Sequence, residues 1–185
     1  STPWHISHQE SLWRALGDHE IYVLVNANRR WLNHIRQLPE NVTFVPYYDP
    51  GKYDLAILHV DQQCIDPDIG KGKLFRNLNE VIQDIPKIVI NHGSTCWPEN
   101  RNGWSEEDIK ERMKIMVGKT PMIVNSHEAV NKWGFGKAII HGFVVNEWDS
   151  NLTKEPRSVT FISEAGLDKY YNRRLMSAIK EKMMV

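Results

Sequence analysis

The chain has 185 residues, of which 41% are hydrophobic and 25% charged, as in an ordinary globular protein that builds its own core. Lysine plus arginine and aspartate plus glutamate both number 23, which argues against an extended nucleic-acid-binding face or a polybasic membrane surface. No apolar run approaches the roughly 20 residues of a transmembrane helix, and no secretory signal is recognisable. We therefore predict a cytoplasmic protein that has no transmembrane segment and no nucleic-acid partner.

The first half of the chain alternates segments with helical and strand-like spacing of apolar residues. A helix is predicted over 8–16, where Gly17 ends it, and a short helix over 31–38. A turn is predicted over 47–51, which contains Asp-Pro-Gly. Near-continuous apolar runs predict three strands, over 20–25, 42–45 and 54–60.

The second half continues the alternation. A loop is predicted over 62–72 and a helix over 73–84, and two later helices, over 105–118 and 126–134, each begin at a capping serine and end at a glycine. Three more strands are predicted, over 87–91, 121–125 and 138–141. Strands that alternate with helices of about 10 residues are typical of βαβ units. We therefore predict a doubly wound α/β domain with a mainly parallel sheet.

The character of the chain changes near its carboxyl end. Residues 149–157 are polar and contain a proline, which is typical of a linker. A new strand is predicted over 158–162 and a new helix over 167–183. We therefore predict a first domain over 1–148, followed by the linker, and residues 158–185 as the opening βα unit of a truncated second domain.

Histidines stand at the ends of several predicted strands. His59 ends the third strand, His92 follows the fourth and is itself followed by Gly93, and His127 follows the fifth. In parallel α/β sheets, ligands bind outside the carboxyl ends of the strands, so a site is expected where these side chains lie. His141 ends the sixth strand and is expected to pack near the domain junction.

Five short motifs follow one another in a recognisable order. They are a Tyr-Asp pair that leads to a strand ending in histidine (53–59), a proline and strand that end in His-Gly (86–93), an apolar-to-Ser-His-Glu turn (124–128), an Ile-His-Gly segment that ends in Glu-Trp (140–148) and a basic, proline-containing linker (154–157). In this order they resemble the N-terminal half of GT-B fold glycosyltransferases, particularly the large retaining, sugar-nucleotide-dependent family that includes glycogen synthase relatives.

The chain departs from that family pattern at three places. A histidine at position 127 separates the serine from the glutamate, and Asn-Glu at 146–147 stands where an aspartate is common. Residues 1–5 resemble the loop that follows the first strand of the family, and that strand itself is not recognisable in the sequence.

The resemblance implies a Rossmann-like, acceptor-side domain. It implies transfer of a sugar from a nucleotide-sugar donor to a hydroxyl of a glycan or other acceptor, in polysaccharide or glycoconjugate synthesis. The nucleotide sugar is then the substrate, and no cofactor is expected. In the family the second domain holds the nucleotide diphosphate, so we expect this chain to supply half of a cleft and to be inactive alone.

The resemblance also implies roles for individual residues. In the family the histidine that matches His92 lies beside the donor sugar, which makes His92 the candidate catalytic residue and Gly93 a substrate contact that admits close backbone approach. A turn histidine bonded to backbone carbonyls is the alternative. His5 and His8 belong to the segment that, in the family, lines the acceptor and phosphate side of the cleft.

Three further residues are candidate substrate contacts on physical grounds. His127 and Glu128 begin a predicted helix, where exposed amides and the helix dipole favour anions. His59 ends a buried strand, so a substrate contact and a core histidine are both open for it.

Metal and nicotinamide chemistry are not indicated. No His-Glu-x-x-His motif occurs, and Cys64 and Cys96 lack zinc-ligand spacing, so we predict no metal and reduced cysteines. The Gly-Phe-Gly at 134–136 ends a helix and does not open one after a strand. Two other functions stay open: a non-catalytic α/β module that binds a glycan or a partner, and a sugar-nucleotide epimerase of the same two-domain architecture.

Overall fold

The computed structural model describes residues 4, 6–25, 31, 33, 36–93, 95 and 100–139. The predicted helix over 31–38 and strand over 138–141 are described only in part. The predicted linker over 149–157 and second domain over 158–185 lie outside the described residues.

The described residues form an α/β fold with parallel sheets, consistent with a Rossmann-like fold, as the alternation of segments predicts. In chain order the elements are α1 (Ile6–Ala15), β1 (Ile21–Leu24), β2 (Val42–Val45), β3 (Ala56–Val60), a 3₁₀ turn (Gln62–Ile65), α2 (Gly70–Val81), β4 (Lys87–Asn91), α3 (Glu106–Val117), β5 (Met122–Val124), α4 (His127–Trp133) and β6 (Lys137–Ala138).

The strands form two parallel sheets. One sheet pairs β1 with β2, with Ile21 opposite Val42. The other has the order β3-β4-β5-β6 and aligns Leu58, Val89 and Met122 in one row across three strands. In this second sheet a helix links each strand to the next, and such connections make neighbouring strands parallel.

The larger core lies on one face of the four-stranded sheet. There α2, α3 and α4 pack against the strands through buried apolar side chains, among them Leu58, Val60, Val89, Val124, Phe75, Leu78, Met113, Val117 and Trp133. A smaller cluster joins Trp13 of α1 to Val23 and Val42. The neighbouring Leu24 packs instead on the larger core, so the two faces of β1 contribute to different clusters.

Predicted helix boundaries are confirmed where a local cap defines them. The hydroxyl of Ser105 accepts a hydrogen bond from the N–H of Asp108, and the Asp108 carboxylate accepts one from the N–H of Ser105. Ser126 caps α4 by accepting from the N–H of Ala129, and Gly134 ends that helix in the left-handed region at φ 75°. These caps need only residues close in sequence, which is why the sequence predicts them.

The predicted loop over 62–72 is wrong. It contains the 3₁₀ turn, which Asp61 caps, and the first turn of α2, which begins at Gly70. Glycine has a low helix propensity, which hides this start in the sequence. Tertiary packing requires glycine at position 72, because a Cβ there would lie 2.2 Å from the carbonyl oxygen of Cys64 in the 3₁₀ turn.

None of the helices in the described ranges combines the length and the apolar character needed to cross a membrane.

Candidate functional site

Two histidines meet at the carboxyl ends of β3 and β4. His59 lies opposite Ile90, and the N–H of His92 donates to the carbonyl of Val60 at 2.8 Å, which extends the strand pairing by one residue. Because side chains alternate along a strand, His92 shares a face with Ile90 and is the diagonal neighbour of His59. The Nδ1 atom of His59 and the Nε2 atom of His92 are 2.8 Å apart and form a hydrogen bond.

Two aromatic side chains complete a compact group. The indole of Trp4 stacks on the imidazole of His92 with ring centroids 5.1 Å apart, and His8 of α1 meets the same imidazole edge-on at 4.4 Å. We call Trp4, His8, His59 and His92 the histidine cluster. Of the predicted histidines, the structure brings His8, His59 and His92 together.

Burial controls the charge of His59. His59 is only 2% exposed, whereas His92 is half-buried. Loss of hydration, and secondly repulsion by a charged His92, hold the pKa of His59 well below its usual 6.5. His59 is therefore neutral near pH 7, and its hydrogen bond fixes the orientation of the His92 ring. The burial of His59 matches the core-histidine alternative, and its role as a substrate contact stays a prediction.

A lysine and an aspartate lie beside the cluster. Asp61 follows β3 directly and accepts a hydrogen bond from the ammonium group of Lys71 in α2. The same ammonium nitrogen lies 5.3 Å from the centre of the Trp4 ring, in cation–π contact. The Lys71 side chain is 32% exposed, so this ion pair stands at the rim of the cluster, with the ammonium group within reach of solvent.

The backbone after His92 is held from several sides. The N–H of Gly93 donates to Oδ1 of Asn91 at 2.9 Å, and its carbonyl accepts from Nε1 of Trp133 at 3.1 Å. A Cβ on Gly93 would lie 1.8 Å from Oε1 of Gln62, so only glycine fits without displacing Gln62. Gly93 therefore serves close packing, which in turn positions His92.

The remaining predicted site residues lie elsewhere or are not described. His127 and Glu128 form the first turn of α4, both are exposed, and Glu128 pairs with Lys132 at 3.0 Å. Within the described ranges neither of them contacts the histidine cluster. His5 and His141 lie outside the described residues, so their predicted roles stay predictions.

Sequence patterns missed Trp4, Asp61, Lys71 and Gln62 as members of the site. Asp61 carries a signal, since a polar residue directly after a buried strand lies at the carboxyl edge of the sheet. Lys71 falls in the predicted loop over 62–72, and only the packing of α2 brings it to the cluster.

The described residues offer neither a metal-binding group nor a reactive thiol. No three histidine, cysteine, aspartate or glutamate side chains among them form a group that could hold a metal ion. Cys64 is a free, fully buried thiol, and burial raises its pKa to about 12. Such a thiol is protonated at neutral pH and is a poor nucleophile.

Lowering the pH is expected to destabilise the chain through His59. The folded chain keeps this imidazole neutral, whereas the unfolded chain protonates it near pH 6.5. The contribution of His59 to stability is therefore complete above pH 6.5 and declines as the pH falls below it, by at most about 1.4 kcal/mol per pH unit. Urea unfolding between about pH 8 and pH 5 measures this decline, and His59→Asn should flatten it. If the free energy of unfolding falls with pH equally steeply in the native chain and in His59→Asn, the pH dependence does not come from His59.

Comparison with known proteins returns no relative. No protein-family model, no curated protein and no solved structure matches the chain. The site is therefore defined by its own geometry, which is a hydrogen-bonded imidazole pair, a stacked indole and a lysine–aspartate pair at the carboxyl edge of a parallel sheet.

Proposed function

We propose that this chain is the acceptor-side half of a GT-B fold glycosyltransferase, and that the histidine cluster contacts the transferred sugar. The observation that carries the proposal is the hydrogen-bonded pair of His59 and His92, with Trp4 stacked on it. The pair lies where parallel α/β sheets bind ligands. The order of sequence motifs, in which His92-Gly93 matches the sugar-side histidine of the family, supports the same assignment.

The chemistry of the cluster suits a sugar hydroxyl. An imidazole nitrogen donates or accepts according to its protonation, and a hydroxyl group can match either, since it both donates and accepts. Nε2 of His92 is bonded to His59, so a sugar would meet this ring at Nδ1. His59 holds the ring of His92 in one orientation, so little rotational freedom of this side chain is lost when a ligand binds.

Lys71 adds a positive charge at the rim of the cluster. In sugar transfer the bond from the anomeric carbon to the diphosphate oxygen breaks and the diphosphate leaves with the electron pair. The acceptor hydroxyl oxygen bonds to the anomeric carbon, and its proton passes to the departing diphosphate. A cation near the departing oxygen stabilises the charge that develops there. We assign Lys71 to this side of the donor and His92 to a sugar hydroxyl.

Ligand titration followed by nuclear magnetic resonance of the imidazole nitrogens tests the proposal. We expect UDP-glucose, GDP-mannose or ADP-glucose to shift the ring signals of His92 and to leave those of His19, an exposed turn residue, unchanged. His92→Ala should abolish binding, and His19→Ala is the matched control. The proposal fails if no nucleotide sugar shifts His92, or if His92→Ala binds as the native chain does.

The same titration separates an enzyme from a binding module. Maltooligosaccharides are added in place of the nucleotide sugars, with the same two variants. A response of His92 to these glycans without a response to any nucleotide sugar would reject the transferase in favour of a non-catalytic glycan-binding module.

A further inference from the structure

The side chain of Gln62 lies against the backbone that follows His92. Gln62 is the first residue of the 3₁₀ turn, which comes directly after Asp61 at the carboxyl edge of the four-stranded sheet. A Cβ built on Gly93 would lie 1.8 Å from Oε1 and 3.0 Å from the amide carbon of Gln62. The amide group of Gln62 therefore rests on the α-carbon of Gly93, one residue from the imidazole of the histidine cluster.

The amide oxygen of Gln62 is buried without a hydrogen-bond donor. Within the part of the chain that the structure describes, this oxygen is closed to solvent and accepts no hydrogen bond. The N–H of Gly93 is already bonded to Oδ1 of Asn91 at 2.9 Å. The residue Gln62 as a whole is half-buried, so other atoms of the same residue reach solvent.

An acceptor in this state raises the free energy of the ligand-free chain. In water an amide oxygen accepts hydrogen bonds, and burial removes them without a replacement. A C–H group of Gly93 can meet the oxygen, but such a contact is weaker than a bond from an N–H or O–H group. Folded proteins keep few polar atoms of this kind, so each one calls for an explanation. A donor supplied by a ligand explains one that lies beside His92.

Close packing, and not hydrogen bonding, keeps the amide of Gln62 in place. It fills the space that glycine leaves open at position 93. Asn91 and Trp133 hold the backbone of Gly93 through its N–H and its carbonyl, and neither bond involves Gln62. A glutamine side chain rotates about single bonds between staggered positions, so the amide can leave Gly93 while the backbone stays where it is.

A sugar carries the kind of donor that this oxygen lacks. A pyranose has several hydroxyl groups, and each of them can donate a hydrogen bond. Consecutive α-carbons are about 3.8 Å apart, so Gln62 on Gly93 and the residue His92 are close enough to contact different hydroxyls of one ring. Both lie at the edge where parallel α/β sheets bind ligands.

We propose that Gln62 is a specificity-determining residue of the site, and that its Oε1 turns from Gly93 to accept a hydrogen bond from a second hydroxyl of the sugar. This inference rests on the proposed function, because it takes the sugar to lie at His92. Binding then gives the sugar a hydrogen bond and gives the buried oxygen a donor. A sugar that lacks this hydroxyl provides no donor, so the site selects against it.

Replacing Gln62 by methionine separates ligand binding from stability. Methionine has nearly the same length and lacks the acceptor, so the ligand-free variant is expected to melt about 2–4 °C above the native chain. Binding of the nucleotide sugar, followed through the imidazole signals of His92, is expected to weaken about tenfold. A purely structural role would lower both quantities. A lower melting temperature would show that the oxygen is bonded, for example to water, and would overturn the proposal.

Gln83 provides the matched control for Gln62. Its Nε2 donates to the carbonyls of Asn79 and Glu80 at 3.1 and 2.8 Å, and the residue is exposed just after α2. Gln83→Met removes an amide that has partners. We therefore expect this variant to melt no higher than the native chain and to bind the nucleotide sugar equally well.

Sugars that lack one hydroxyl identify the group that Gln62 contacts. Whichever of UDP-glucose, GDP-mannose and ADP-glucose shifts His92 is compared with its forms that lack a single sugar hydroxyl. We expect one deoxy form to bind the native chain about tenfold more weakly than the parent and to bind Gln62→Met as tightly as the parent does. Equal discrimination by the two proteins at every hydroxyl would overturn the proposal.

A measurement on the native chain covers the case in which the variant does not fold. The side-chain amide signals of Gln62 should shift together with the imidazole signals of His92 during the titration, and those of Gln83 should not. A shift at His92 without one at Gln62 would overturn this inference and leave the proposed function standing. No shift at His92 with any of the three nucleotide sugars rejects the proposed function, and this inference with it.

Discussion

Replacing Trp133 by alanine is expected to lower the free energy of unfolding by about 3–5 kcal/mol. Trp133 is 1% exposed and belongs to the larger core between α4 and the four-stranded sheet. The substitution removes a large buried ring and leaves a cavity that the surrounding strands cannot close fully. It also removes the donor to the carbonyl of Gly93. Urea unfolding of the native chain and the variant at neutral pH measures the difference.

The variant Trp133→Phe separates packing from the hydrogen bond. Phenylalanine keeps most of the buried ring and lacks the Nε1 donor, so a loss of about 1–3 kcal/mol is expected for an unpaired carbonyl. Because Gly93 follows His92 directly, the imidazole signals of His92 should also shift in this variant. A loss below about 1 kcal/mol for Trp133→Ala would contradict the assigned core position.

Replacing Gly72 by alanine is expected to destabilise the chain by about 1–3 kcal/mol, although alanine is the better helix former. The new Cβ would meet the backbone of Cys64 at 2.2 Å, and the 3₁₀ turn and α2 would have to separate. Backbone atoms cannot rotate aside as the end of a side chain can, so the strain is not relieved locally. Urea unfolding again measures the loss.

Gly70 provides the matched control for Gly72. It lies in the same turn of α2, and a Cβ there meets nothing within 4 Å. Gly70→Ala is therefore expected to be neutral or to stabilise the chain by up to about 1 kcal/mol, through helix propensity alone. Equal effects of the two substitutions would show that close packing against the 3₁₀ turn is not what requires Gly72.

The two substitutions act on two supports of the histidine cluster. Trp133 holds the backbone at Gly93, and the turn that Gly72 packs against lies directly after Asp61. The cluster is thus supported by buried groups that do not themselves face solvent. Such support keeps a site in one geometry before a ligand binds, which reduces the ordering cost of binding.

Much of the site was predictable because it follows from strand order alone. His59 and His92 each end an apolar run, and the carboxyl ends of adjacent parallel strands lie at one edge. The same rule placed His127 at that edge, but it begins α4 after β5, where its side chain is exposed. Strand-end position alone does not say which side chains touch.

The sequence by itself determined the α/β class, the parallel strands and the ends of α3 and α4, because apolar periodicity and the capping serines Ser105 and Ser126 act over a few residues. Only the tertiary structure brought Trp4 and Lys71 to His92. Those features depend on which strands become neighbours, and that depends on burial and pairing between residues far apart in the chain. Such contacts leave no local pattern in the sequence, since neither partner is marked by its sequence neighbours.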